Sequence, residues 1–193
     1  NNALNVFEKN KEIWSISGYT PPINFEGYTD DLYIIKRGCS WGWATWKDRW
    51  ETINWSNEFY KNALSDRSIR KSFNQTGYDM SIMLEFQLKG QIDSWAIRWC
   101  YNQFIQDKYT VYPVKSFVQN IGTDNSGTHS GNTNKYNVKI SNINQLIIKD
   151  NISENKKIVK RFRRFYSPVI KIVISKTFRR MGIYKIIRKL AYK

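Results

Sequence analysis

Apolar and polar positions along this chain follow two different periods, and the places where the period changes mark out its elements. Leu4, Phe7 and the pair Ile13-Trp14 keep a loose helical beat. It gives way at Ser15-Ile16-Ser17-Gly18-Tyr19, where a short strand should end, and Thr20-Pro21-Pro22 opens a loop. Leu32-Tyr33-Ile34-Ile35 is an unbroken apolar run, the pattern of a buried strand. Trp43, Trp46 and Trp50 recur at steps of three and four, which predicts a short helix with three indoles on one face, running toward Trp55. Ser56-Asn57-Glu58-Phe59 starts a helix, and the segment to Phe73 is polar and basic on its outer side. Asn74-Gln75-Thr76-Gly77 then makes a turn. Met80, Met83, Leu84 and Leu88 mark the next helical face, so Asp79 stands at a helix N-terminus. Ile92-Asp93-Ser94-Trp95 starts another helix, with Trp95, Trp99 and Phe104 on one side, and Tyr109 to Val114 alternates as a strand does.

Beyond residue 131 the pattern weakens. Residues 131–155 are rich in Asn, Ile and Lys, with Val138-Lys139-Ile140 and Leu146-Ile147-Ile148 as short strands in a peripheral flap and linker. Ile158, Phe162, Phe165, Tyr166 and Val169 then recur at helical steps between arginines, and Ile183, Ile186, Ile187 and Leu190 repeat the beat after Met181-Gly182. The tail, 156–193, reads as two basic amphipathic helices, with Pro168 kinking or dividing the first.

Composition sharpens this division. At 193 residues, 41% hydrophobic and 16% aromatic, the chain suits one domain with a real core. The net charge of +15 is localised: residues from Lys156 onward hold 14 of the 31 Lys and Arg and no acid, and the remaining 17 face 16 acids. Basic amphipathic helices lie in the headgroup plane of anionic membranes, which makes such a surface the expected partner of the tail. Packing of both helices on the protein, with a solvated cationic face, is the alternative. No nucleic acid is expected, since no recognised binding motif accompanies the charge. Cys39 and Cys100 have neither zinc-site nor disulfide-scaffold spacing and read as free thiols in a reducing compartment. No apolar run reaches the roughly 20 residues that cross a bilayer, so the expectation is a cytoplasmic protein, peripheral at the inner membrane face.

Four of the eight tryptophans fall between Gly38 and Trp50. An indole stripe at helical spacing is ordinarily core, but the Trp41-Gly42 turn ahead of it is suited to stacking on a sugar's apolar face. The segments RGCSWGWATWKDRW, GYDMSIML, IDSWAIRW and NIGTDNSGTHS, in this order, resemble bacterial glycosyltransferases of the GT-A fold, a family-2-like group distantly similar to N-acetylglucosaminyltransferase I. The likeness covers residues 1–130 and is specific in the tryptophan segment and in IDSWAIRW. It implies an α/β fold, the acceptor-side (C-terminal) half of a GT-A domain with a basic helical tail, the nucleotide-binding half lying elsewhere. The implied activity is transfer of a sugar, with inversion, from a nucleotide-sugar donor to a hydroxyl of a saccharide or lipid-linked acceptor.

On that resemblance Asp79 matches the general base, although the usual Glu-Asp is here Tyr78-Asp79. An aspartate at a helix start also caps backbone N–H groups, and capping alone explains it equally well. Asp93 is the second choice for the base, more simply read as a turn residue, and Arg98 is read as solvated or carboxylate-paired. Trp41, Gly42 and Trp43 are placed at the substrate pocket, Trp46 and Trp50 in the core. His129 matches, by position, a late histidine that completes the divalent-metal shell or touches donor phosphates. Asp30-Asp31 does not match the family's Asp-x-Asp metal motif, because it follows the WSISGY segment instead of preceding it; it reads as a solvated loop pair. Mg²⁺ or Mn²⁺ is therefore expected only with the missing half. The competing class is a non-catalytic basic module, binding a membrane surface or nucleic acid, whose tryptophans are simply core.

Overall fold

The structure, a computed structural model, describes residues 2–124, 126, 132–142 and 146–167. Within them the chain is a mixed α/β fold around one four-stranded sheet of order β2-β4-β1-β3, built from β1 (Ile13–Ser17), β2 (Leu32–Ile35), β3 (Trp43–Thr45) and β4 (Tyr109–Pro113). The central strands β1 and β4 are parallel, and β2 and β3 pair antiparallel on the outside. β2 is buried at every position, as its unbroken apolar run requires. Leu32 and Ile34 join Phe7, Ile13 and Val111 on one face, while Tyr33 and Ile35 join Tyr112 on the other. This two-residue alternation comes directly from the pleat.

Two helices cover the second face. α6 (Trp95–Ile105) lays Trp99 and Gln103 over the middle of the sheet, where Gln103 Nε2 donates to Thr110 Oγ1 at 3.1 Å and Thr110 meets Ser15 Oγ at 2.7 Å. α7 (Lys156–Phe165), capped by Asn155, seats Ile158 and Phe162 on Tyr33, Ile35 and Tyr112. Burying such side chains contributes roughly 1.5–3 kcal/mol each. The apolar stripe of α7 is thus spent inside the fold, and this helix does not offer it to a membrane. The second tail helix, with Ile183 to Leu190, lies outside the described residues.

The predicted tryptophan helix is corrected. Trp43 belongs to β3, paired with Ser17 on the edge of β1, and only α2 (Lys47–Glu51) is helical. Strand pairing wins because β1 offers an open edge: the Gly18 N–H donates to Gly42 O at 2.7 Å and Thr45 Oγ1 to Trp14 O at 2.6 Å. Trp46 consequently leaves the common face. It packs beside the Phe7 core and stacks on the Arg49 guanidinium, 4.3 Å from the ring centre.

The helix expected from Ser56 divides at Asp66, whose carboxylate accepts from Ser68 N and Ile69 N and so starts a new helix. The two pieces are α3 (Asn57–Ser65) and α4 (Arg67–Phe73), followed by α5 (Met80–Leu88); α1 (Asn2–Phe7) opens the chain. Neither Val138–Ile140 nor Leu146–Ile148 forms a strand. Leu146 and Ile148 instead pack on the Phe7 face of the sheet, held by Ile147 N donating to Asp31 Oδ2 at 2.9 Å and by the Lys149–Asp30 ion pair. The aspartates expected to be solvated therefore tether this segment. Among the described residues no helix is long and apolar enough to cross a membrane.

Candidate functional site

A single connection, residues 36–42, positions most of the site. It leaves β2, crosses the sheet face between α6 and the end of α7, and returns as β3. Tyr112 Oη donates to Arg37 O at 2.8 Å and Cys100 Sγ to Gly38 O at 3.6 Å, pinning the crossing. At its far end Gly42 has φ +54°, and a Cβ there would lie 2.7 Å from Val118 Cγ1, so the turn needs glycine both for its backbone and for its close approach.

Between this connection, the start of α5, the start of α6 and Tyr166 lies a cavity of about 680 Å³. Asp79 and Trp41 both line it, as does Asp93. Trp41 is held edge-on by Tyr19 and Tyr136, with ring centres 4.7 and 5.3 Å away. Gly42 and Trp43 do not line it. Trp43 instead packs among Trp50, Trp95 and Trp99, with ring centres 5.1 to 6.3 Å apart. Of the three residues placed at the pocket, the structure brings only Trp41 together with Asp79. Trp50 joins the indole cluster yet stays 40% exposed.

Asp79 occupies the first position before α5, but its side chain makes no capping hydrogen bond. Its carboxylate turns to Arg37, which donates Nη1 to Oδ1 at 2.8 Å and Nη2 to Oδ2 at 2.7 Å. This two-point charge-assisted contact outcompetes a single backbone cap. Burial by itself would lower the affinity of the Arg37 guanidinium for its proton, but the hydrogen-bonded Asp79 charge more than offsets this and the net shift is upward. The guanidinium also stacks on Tyr166, 3.8 Å from the ring centre. Gly77 makes the closure possible, since a Cβ there would lie 2.3 Å from Asp79 Oδ1 and 2.5 Å from Arg37 Nη1.

The two thiols are free and both line the cavity. Burial pushes Cys39 up and Cys100 up to about 11, so both are protonated near neutral pH and neither is a ready nucleophile. Among the described residues no group of three His, Cys, Asp or Glu could hold a metal ion, and Asp79 is already committed to a cation. The described donor set does not fit a divalent ion. His129 lies outside the described residues. Among the described residues Arg98 pairs with no carboxylate; it stacks over Trp55, 5.2 Å from the ring centre.

Comparison with known proteins settles no family. No protein-family model, curated protein or solved structure matches the chain. The site therefore rests on its own geometry.

Sequence reasoning missed Arg37, Tyr136 and Tyr166. Arg37 stands in the tryptophan segment, but nothing local marks it as the partner of a carboxylate 42 positions away. Tyr166 carried a signal, an aromatic at the end of an amphipathic helix, but its target lies across the fold.

Proposed function

We propose that this chain is the acceptor-side part of an inverting GT-A glycosyltransferase, acting in the cytoplasm on a nucleotide-sugar donor and a saccharide or lipid-linked acceptor. The observation that carries this reading is the shared cavity: a carboxylate and a half-buried indole face one space large enough for a sugar. Trp41 offers an apolar surface for the C–H face of the acceptor ring. Asp79 accepts the proton of the attacking hydroxyl. As that oxygen bonds to the anomeric carbon, the bond to the leaving nucleoside diphosphate breaks, the bonding pair departs with the diphosphate, and the anomeric configuration inverts. The donor site, and with it Mg²⁺ or Mn²⁺, belongs in this reading to the remainder of a longer protein, together with any role for His129.

Arg37 holds the Asp79 carboxylate at the cavity wall through both of its oxygens. Because a carboxylate offers about four lone-pair sites, a two-point arginine contact still leaves room for the acceptor hydroxyl. Asp93 is favoured as a second reading by one observation: it is exposed on the same cavity and makes no hydrogen bond or ion pair among the described residues.

Single-turnover transfer assays on the complete enzyme with Asp79→Asn and Asp93→Asn decide between them. Loss of the base should slow transfer by about 10²–10⁴-fold. Loss confined to Asp93→Asn would move the base to Asp93. Full activity in both variants would overturn the reading and leave the non-catalytic basic module.

A further inference from the structure

The outer face of α7 is strongly basic. Ile158 and Phe162 point inward and are 1% and 0% exposed, while Lys156, Lys157, Lys160 and Arg164 are exposed on the opposite side. The other two cations of the helix are committed to the protein: Arg161 Nη1 donates to Asn24 O and Glu26 O at 2.9 and 3.0 Å, and Arg163 lies over the Tyr78 ring at 4.6 Å. Among the described residues the four outward cations have no hydrogen-bond or ion-pair partner. The helix carries no acid at all.

This arrangement is not what helix stability alone selects. The N-terminal end of a helix is the positive end of its dipole and favours acids in the first turn. α7 has none there, and instead opens with Lys156 and Lys157. The dipole and the lysines thus add to one positive field, while Glu154 just before the helix and Glu26 beside Arg161 are the acids nearest in the chain and in contact. An outward stripe of one sign attracts and concentrates partners of the other sign.

We infer that α7 docks this protein on an anionic lipid bilayer by charge alone, without inserting. Its apolar residues are already buried, so the helix rests on the headgroups through Lys156, Lys157, Lys160 and Arg164. A bilayer fits better than single-stranded nucleic acid because the outward face holds no aromatic platform: Phe162 is buried, and Phe165 and Tyr166 are engaged with Tyr136 and Arg37. The sequence beyond Ser167 continues with eight more Lys and Arg among Ile and Val and no acid, so charge of the same sign follows the helix.

The test is co-sedimentation of the full chain with phosphatidylcholine vesicles, plain or containing about a third phosphatidylglycerol, at about 0.1 M salt. Binding is expected only to the anionic vesicles. A cation at such a surface strengthens binding about fivefold, so K156Q/K157Q/K160Q/R164Q should weaken it on the order of a hundredfold or more. A control of equal charge change, K47Q/K61Q/R67Q/K71Q, should weaken it by less than about threefold. Should the first variant melt well below the parent by circular dichroism, K156Q/K157Q and K160Q/R164Q are made separately, each expected to lose on the order of tenfold. Equal losses in α7 and control variants, no loss in the α7 variants, or tighter α7-dependent binding to single-stranded RNA than to vesicles would each overturn the inference. No sugar transfer is read, so the result stands apart from the glycosyltransferase reading.

Discussion

Arg37 and Asp79, 42 positions apart, meet through both guanidinium Nη atoms and both carboxylate oxygens, at 2.8 and 2.7 Å. Their side chains are only 11% and 25% exposed, so each charge depends on the other for its solvation. Replacing one partner strands the second in a poorly hydrated place. Arg37→Met is expected to cost about 2–3 kcal/mol in urea unfolding, at the low end for a buried pair because Asp79 keeps some water. Arg37→Lys, which keeps the charge but loses the fork and the stacking on Tyr166, should cost less. Unchanged stability in Arg37→Met would show that the pair does not hold the turn before α5.

Gly77 is the tightest point of the site. Gly77→Ala drives a methyl to 2.3 Å from Asp79 Oδ1, so the carboxylate must move or the turn must open. A loss of about 1–3 kcal/mol is expected, as for other overpacked positions. A melting curve identical to that of the parent would mean the turn relaxes freely.

Trp41 and Trp43 are two positions apart yet should respond differently. Trp43 sits within the indole cluster, and Trp43→Ala should cost about 3 kcal/mol or more. Trp41 faces the cavity, so Trp41→Ala should cost about 1–2 kcal/mol and chiefly weaken saccharide binding, read by chemical-shift titration with acceptor sugars. Comparable stability losses in the two variants, with saccharide shifts intact in Trp41→Ala, would contradict the division.

The protein should be labile to alkali. Burial pushes Tyr33, Tyr112 and Tyr166 far above the ordinary tyrosine range and Cys100 up to about 11. Each of these groups binds its proton more tightly folded than unfolded. Their contribution to stability is therefore complete below the unfolded values, about 8.5 for Cys and about 10 for Tyr, and is lost as pH rises beyond them. Phenolate absorbance of the buried tyrosines should appear only together with the loss of circular dichroism. Titration of all 12 tyrosines in the still-folded chain near pH ~10.5 would disprove this.

α7 should behave as part of the core. Phe162 is 0% exposed against Tyr33 and Tyr112, and Phe162→Ala is expected to cost about 3–5 kcal/mol. A loosely attached tail would show no change in melting temperature.

Much of the architecture was legible locally. The apolar run Leu32–Ile35, the alternation in Tyr109–Pro113, the helical steps of α5, α6 and α7, and the thiols' lack of paired spacing all follow from rules that act within a few residues. Asp79 was legible as the residue opening a helix for the same reason. What its carboxylate touches was not, because two hydrogen bonds to an arginine from another element outweigh one local cap.

Periodicity and turn chemistry, read along the chain, determined which segments could be strands or helices and that the positive charge gathers after Lys156. Only the assembled sheet decided that Trp43 would pair with β1, that the apolar side of α7 would be buried, and that Trp41, Asp79 and Arg37 would share a cavity. Local propensities differ by fractions of a kcal/mol per residue, whereas an open strand edge, an uncovered apolar face or an unpaired buried charge each outweighs them. Those stronger demands exist only once distant parts of the chain have come together.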